Sequence, residues 1–270
     1  MLKLVRAQIH LTNKCNLNCK YCEVPMVFAN TKDLPDWKWI EIVKEMTELG
    51  VKEVTISGGG EPTLRMKLLL KICEMLKENG IKIGVITNGT LMEEEYARKI
   101  VEIGIDEWRT SICSPKREVD AFLRGKDMCE RSFKSIEMIA KWKERIGSEF
   151  PKLEIWMLQT KLNISHIPDM IQKAVHIGTN SLSLRMVNPP GCWLYPTEHQ
   201  RRELVNRLDE YRNIANKSGI ELRVHFSTSD ILPNETRDNP TDNPGKNIFC
   251  MLPFHEIVVF ADGRVAPCCN

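Results

Sequence analysis

Short β-branched runs alternate with stretches of helical periodicity along most of this chain. Strands are predicted over 5–11, 51–57, 81–87, 107–112, 153–160 and 181–187. Helices are predicted over 36–49, 65–79, 92–103, 131–146, 167–177 and 198–217. Ile40, Val43, Met46 and Leu49 form an apolar stripe at helical spacing. Thr90 with Glu93, and Thr197 with Gln200, each fit a capping box. Gly50, Gly80, Gly104, Gly178 and Gly219 each follow a helix, where a left-handed cap is wanted. Strand starts recur roughly every 25–45 residues, the length of a βα unit. Six such units with right-handed crossovers imply an α/β fold, a partial (β/α)6 TIM-like barrel. A doubly wound sheet is the alternative.

The pattern changes after residue 220. Residues 221–226 read as one more strand, and 228–247 as a long loop rich in Pro, Asn and Asp. Residues 257–260 and 264–266 flank Asp262-Gly263 and read as a small C-terminal β-hairpin with a tight turn. This divides the chain into a barrel over 1–220, a linker over 221–247 and an extension over 248–270.

Composition narrows the function. Lys+Arg total 38 against Asp+Glu 36, interspersed and without a basic run. Nothing there favours nucleic acid or an anionic membrane. No apolar stretch is long enough for a bilayer, and there is no signal-peptide core, so a cytosolic, cytoplasmic chain is expected. In that compartment ten cysteines argue for metal or redox work over disulfides.

Three of them, Cys15, Cys19 and Cys22, stand in a C-x3-C-x2-C run directly after the first strand. A TIM-like barrel puts its active site in such loops, at the C-terminal ends of its strands. Three thiolates without a nearby fourth would leave one iron of a four-iron cluster open, and an open metal position can do chemistry. A zinc knuckle would favour paired C-x2-C units. The second motif, Ser57-Gly58-Gly59-Gly60-Glu61-Pro62, ends strand two. Its glycines let backbone approach a ligand closely, and free carbonyls or Glu61 are expected to hold an ammonium group.

These motifs together resemble the radical S-adenosylmethionine (SAM) superfamily, with Tyr21 as the aromatic residue before the last cysteine. The resemblance covers about residues 5–220 and extends to Asn88 after strand three, Ser111 at the end of strand four, the segment Asp120 to Gly125, Asn163 after strand five and Arg185 near the end of strand six. It implies that Cys15, Cys19 and Cys22 hold a [4Fe-4S] cluster whose open iron chelates S-adenosyl-L-methionine. Tyr21, Gly58, Gly59, Gly60, Glu61, Asn88, Ser111, Asn163 and Arg185 are then the candidates for the SAM pocket. It also implies a radical enzyme that abstracts hydrogen, with an electron supplied by a partner such as flavodoxin or ferredoxin.

A third motif runs from Cys250 through the hairpin to Cys268 and Cys269. It resembles the start of a SPASM or twitch extension, which implies an auxiliary [4Fe-4S] cluster held by Cys250, Cys268 and, less directly, Cys269. The family pattern needs further cysteines beyond Asn270, so a truncated chain is expected. Relatives of this type oxidise or cross-link peptides or oxidise small alcohols. The expected substrate is therefore a small molecule or a peptide. A non-catalytic electron carrier and a nucleic-acid-modifying member of the superfamily are the alternatives. Cys113 and Cys192 lie on the active face without a clear role, Cys73 reads as core and Cys129 as a helix start. His10 is expected inside the barrel with its hydrogen bonds satisfied.

Overall fold

The computed structural model describes residues 4–27, 31–188, 192–226 and 255–267. Among them nine strands form one sheet in the order β7-β6-β5-β4-β3-β2-β1-β8-β9. The strands are β1 (Arg6–Ile9), β2 (Glu53–Ile56), β3 (Lys82–Thr87), β4 (Glu107–Ser111), β5 (Lys152–Gln159), β6 (Ser181–Met186), β7 (Glu221–Val224), β8 (Glu256–Val259) and β9 (Val265–Ala266). Every neighbouring pair is parallel except β8 with β9. The helices that cover them include α2 (Asp36–Glu48), α3 (Met66–Glu78), α4 (Glu94–Ile103), α5 (Arg117–Arg124), α6 (Cys129–Ile146), α7 (Ile167–His176) and α8 (Glu198–Lys217). A further helical turn, α1 (Val24–Val27), follows the cysteine run. This is the mostly parallel sheet of a partial barrel, with an antiparallel hairpin at the C-terminal edge.

Strand periodicity sorts the side chains into two layers. Ala7, Ile9, Val54, Ile56, Ile83 and Val85 point to the helices and are buried with Trp39 and Leu69. The opposite face supplies Arg6, Gln8, Glu53, Thr55, Arg109 and Trp156 to a lumen of about 430 Å³. Most of its charges are paired with one another. Arg6 meets Glu256 at 3.6 Å, Lys82 meets Glu107 at 3.1 Å, and Arg109 meets Glu154 at 3.3 Å and also Glu107. Arg223 meets Glu154 at 3.4 Å and Glu221 at 2.7 Å.

The predicted helices and strands all form, with ends shifted by a residue or a few. Of three local readings, two change and one holds. Leu49 leaves the apolar stripe, because α2 ends at Glu48 and the cap residue is 64% exposed. Thr197 with Gln200 makes its capping box. Thr90 does not cap α4: its hydroxyl donates to Asn88 Oδ1 and accepts from Asn16, and the helix starts at Glu94 without a side-chain cap.

The expected domain limits also look different in space. Residues 221–224, placed at the start of the linker, are the seventh strand and pair with β6. The hairpin joins the same sheet, because β8 lies parallel to β1. Phe260 N donates to Arg264 O at 2.9 Å, and Gly263 sits at φ +88, as the Asp-Gly turn requires. Residues 227–247 lie outside the described residues, as do Cys250, Cys268 and Cys269.

Candidate active site

The loop after β1 carries the cysteine run, and the turn after β2 is bonded to it. Gly60 N donates to Thr12 O at 2.7 Å and Glu61 N to Lys14 O at 2.8 Å. Gly60 has no alternative here: a Cβ would lie 1.8 Å from Lys14 O. Thr12 and Asn13 are fixed in turn by Asp33, which accepts from Thr12 Oγ1 at 2.5 Å and from Asn13 N at 3.0 Å. The contact with Asp33 carried no sequence signal, since twenty residues separate it from Asn13.

Cys15, Cys19 and Cys22 line one cavity of about 350 Å³ together with Asn13, Asp33 and Gly59. The thiols lie near enough to influence one another. Burial raises the Cys15 pKa, and Glu61 and Cys22 add to the rise. Burial pushes Cys19 up to about 11, opposed by a hydrogen bond involving Tyr21 and by the charge of Arg124. The bare Cys15 and Cys19 thiols therefore stay protonated at neutral pH, and metal binding would deprotonate them. Asn13 lines the same cavity, and its Oδ1 is buried without a hydrogen-bond partner.

The other expected pocket residues divide into three groups. Gly58 packs over the His10 ring, where a Cβ would come within 2.2 Å of Nε2. Gly59 lines the thiol cavity. Asn88 approaches Cys15 Sγ at 4.0 Å and donates to Asn16 Oδ1 at 2.8 Å. Tyr21 lies against Cys113, with 3.0 Å between hydroxyl and thiol, and burial raises its pKa. Ser111 ends β4, half-buried.

Two of the candidates are bonded within the fold. Glu61 is buried among donors of its own loop and of β3. Its carboxylate accepts from Thr63 N at 3.0 Å, Thr63 Oγ1 and Thr87 Oγ1 at 2.6 Å, and Asn88 N at 2.7 Å, so it ties the ends of β2 and β3 together. Asn163 is also fully occupied: it accepts from Thr160 N and Oγ1 and donates to Cys113 O at 2.5 Å and Leu158 O at 2.7 Å. With no exposed surface, it shapes the turn after β5 and reaches no cavity.

Arg185 lines the lumen and not the thiol cavity, with its guanidinium 3.8 Å from the Trp156 ring centre. His10 departs from its expectation as well, since Nδ1 is buried without a partner. Cys73 is core and Cys129 opens α6, as expected. Cys113 and Cys192 belong to a small apolar cluster with Leu123, Val187 and Leu194.

The donor set fits the cluster that the cysteine spacing implies. Three thiols share one cavity at strand C-termini, lined by Asn13 and Gly59 as well. No helix of the described residues is long and apolar enough to cross a membrane.

Comparison with known proteins gives the chain's family. The model of the radical SAM superfamily matches residues 9–147. A probable GTP 3',8-cyclase from Sulfurisphaera tokodaii is 30% identical over 267 residues, covering 97% of this chain and 80% of its own length. The PqqA peptide cyclase of Bradyrhizobium diazoefficiens is 24% identical over 264 residues, covering 96% of this chain and 65% of its own. Streptococcus suis SuiB bound to S-adenosylmethionine superposes with a TM-score of 0.73 at 19% identity, over 99% of this chain and 59% of that one. The anSMEcpe structure with bound AdoMet gives 0.72 at 18% identity, over 97% and 74%. This chain thus spans most of the first relative but less than two thirds of PqqA peptide cyclase and SuiB. The matched residues include all three cysteines and the glycine turn, and the chain belongs to the radical SAM superfamily.

Proposed function

We propose that Cys15, Cys19 and Cys22 hold a [4Fe-4S] cluster and that the enzyme abstracts hydrogen from a peptidyl or small organic substrate. The observation that carries this is the convergence of the three thiols on one cavity beside Gly59. Cys15, Cys19 and Cys22 would hold the cluster, which with bound S-adenosylmethionine would supply hydrogen-abstracting radical chemistry. The protein's own residues bind and orient. Glu61 and Asn88 hold the loops around the cavity. The electron comes from a flavodoxin- or ferredoxin-like carrier.

The lumen supports a peptidyl or uncharged substrate. Arg6, Arg109 and Arg223 already face carboxylates, so a polyphosphate would have to displace those partners. The relative named as a peptide cyclase, and SuiB and anSMEcpe structures that contain peptides, support the same reading. A nucleotide is the second reading, favoured by the 30% identity with a probable GTP cyclase.

Anaerobic reconstitution with S-adenosylmethionine and a strong reductant tests the proposal. We expect 5′-deoxyadenosine from the native protein and none from Cys19→Ala; cleavage retained by the variant would refute the ligand assignment. Peptides are expected to stimulate cleavage and take part in hydrogen transfer, and GTP is not. Stimulation by GTP alone would favour the second reading. We further propose an auxiliary cluster at Cys250, Cys268 and Cys269, supported by the cysteine pattern around the hairpin. Iron above about four per chain in the reconstituted protein is the expected sign.

A further inference from the structure

Each cysteine of the triplet sits on a stretch of loop held by a different neighbour. Beside Cys15, Asn16 Oδ1 accepts from Asn88 Nδ2 at 2.8 Å. Around Cys19, Asn18 N donates to Arg124 O at 3.2 Å and Lys20 N to Leu123 O at 2.8 Å. Next to Cys22, the Tyr21 hydroxyl meets the Cys113 thiol at 3.0 Å.

Those three neighbours meet at one place. The Arg124 guanidinium donates to Asn88 O at 2.8 Å and to Asp120 Oδ2 at 3.2 Å. The other oxygen of Asp120 accepts from Cys113 N at 2.9 Å. Asp120 is 0% exposed and Arg124 1%. The helix that carries both ends at Gly125, φ +72, where a Cβ would lie 2.4 Å from Asn18 O. Nothing larger than glycine lets this helix end reach the loop.

We propose that Asp120 and Arg124 are positioning residues: one buried ion pair sets the mutual spacing of all three cysteine thiols. The inference rests on the reading of the triplet as cluster ligands. A buried ion pair is weak grounds for stability, because desolvation offsets the attraction. Its hydrogen bonds are directional and strong, so it can fix geometry in a water-free place. Arg124 must reach a carbonyl, a hydroxyl on Ser132 and a carboxylate together. A lysine keeps the charge but lacks the planar fork.

Two variants of the full chain test this: Arg124→Lys, and the double variant Asp120→Leu/Arg124→Met, which removes the pair without stranding a charge. Two measurements are made: loss of the reconstituted cluster to an iron chelator, and alkylation of each cysteine in the cluster-free protein by mass spectrometry. Cys73, fully buried in the core, reports general unfolding. We expect cluster loss at least tenfold faster in both variants. Cys15, Cys19 and Cys22 should alkylate several-fold faster, in an altered order, while Cys73 keeps its native rate. Native cluster lifetime and alkylation in the double variant would overturn the proposal. So would Cys73 alkylating as fast as the triplet, because the pair would then serve the fold in general. Alkylation does not depend on S-adenosylmethionine cleavage, so failure of the proposed function would appear separately.

Discussion

The two ends of the barrel use polar side chains in opposite ways. At the C-terminal rim, Glu61, Asn88 and Asp33 bond to backbone and hydroxyl groups of neighbouring loops. Deeper in the lumen, arginines and glutamates bond to one another. The rim pattern fixes loops and leaves the three thiols facing a cavity. The lumen pattern fills space between strands and neutralises charge that a ligand would otherwise meet. The same residue types thus build a reactive site in one place and a neutral lining in another. The difference is whether their partners are neutral backbone and side-chain groups of neighbouring loops or side chains of opposite charge.

The strongest way to break this comparison is Glu61→Ala. It would strand the buried donors of Thr63, Thr87 and Asn88. We expect a loss of about 3–5 kcal/mol, read by urea denaturation, together with reduced iron uptake. A change below about 1 kcal/mol would show that the rim does not depend on this carboxylate.

His10 lies between rim and lumen, and burial lowers its pKa from the usual 6.5 to about 4. The folded protein therefore binds fewer protons than the unfolded chain in this range. The stabilising contribution is fully present above pH 6.5 and is lost as pH falls from 6.5 through about 4. Its size is up to about 3 kcal/mol. Denaturation at several pH values should show this slope, and His10→Gln should flatten it. An equal slope in the variant would place its origin in other groups.

The smallest effect is expected for Lys82→Ala in the lumen lattice. Lys82 is half-exposed beside Glu107, so its loss should change stability by less than about 1 kcal/mol and leave iron content unchanged. A loss of iron there would blur the contrast between the two ends.

Much of the fold was legible because its signals are local. β-branched runs, apolar stripes and the glycines after helices need only a few neighbouring residues to act. Gly50, Gly80, Gly104, Gly178 and Gly219 all adopt positive φ. Helix α5 was missed, being only eight residues long with three of them buried. Glu61 was legible as important but not in its role, because Thr87 and Asn88, which occupy it, come from the next βα unit.

By itself the sequence determined the order of strands and helices, the three-cysteine run and the family, since spacing and residue type are properties of the chain. Only the tertiary structure decided which polar groups remain available. Hydrogen bonding ties Glu61 to the next strand, saturates Asn163, leaves Asn13 Oδ1 unpartnered, and joins Asp120 and Arg124 behind the cysteine loop. A polar side chain's role depends on the partners that folding brings within hydrogen-bond reach, and those partners lie far away in sequence.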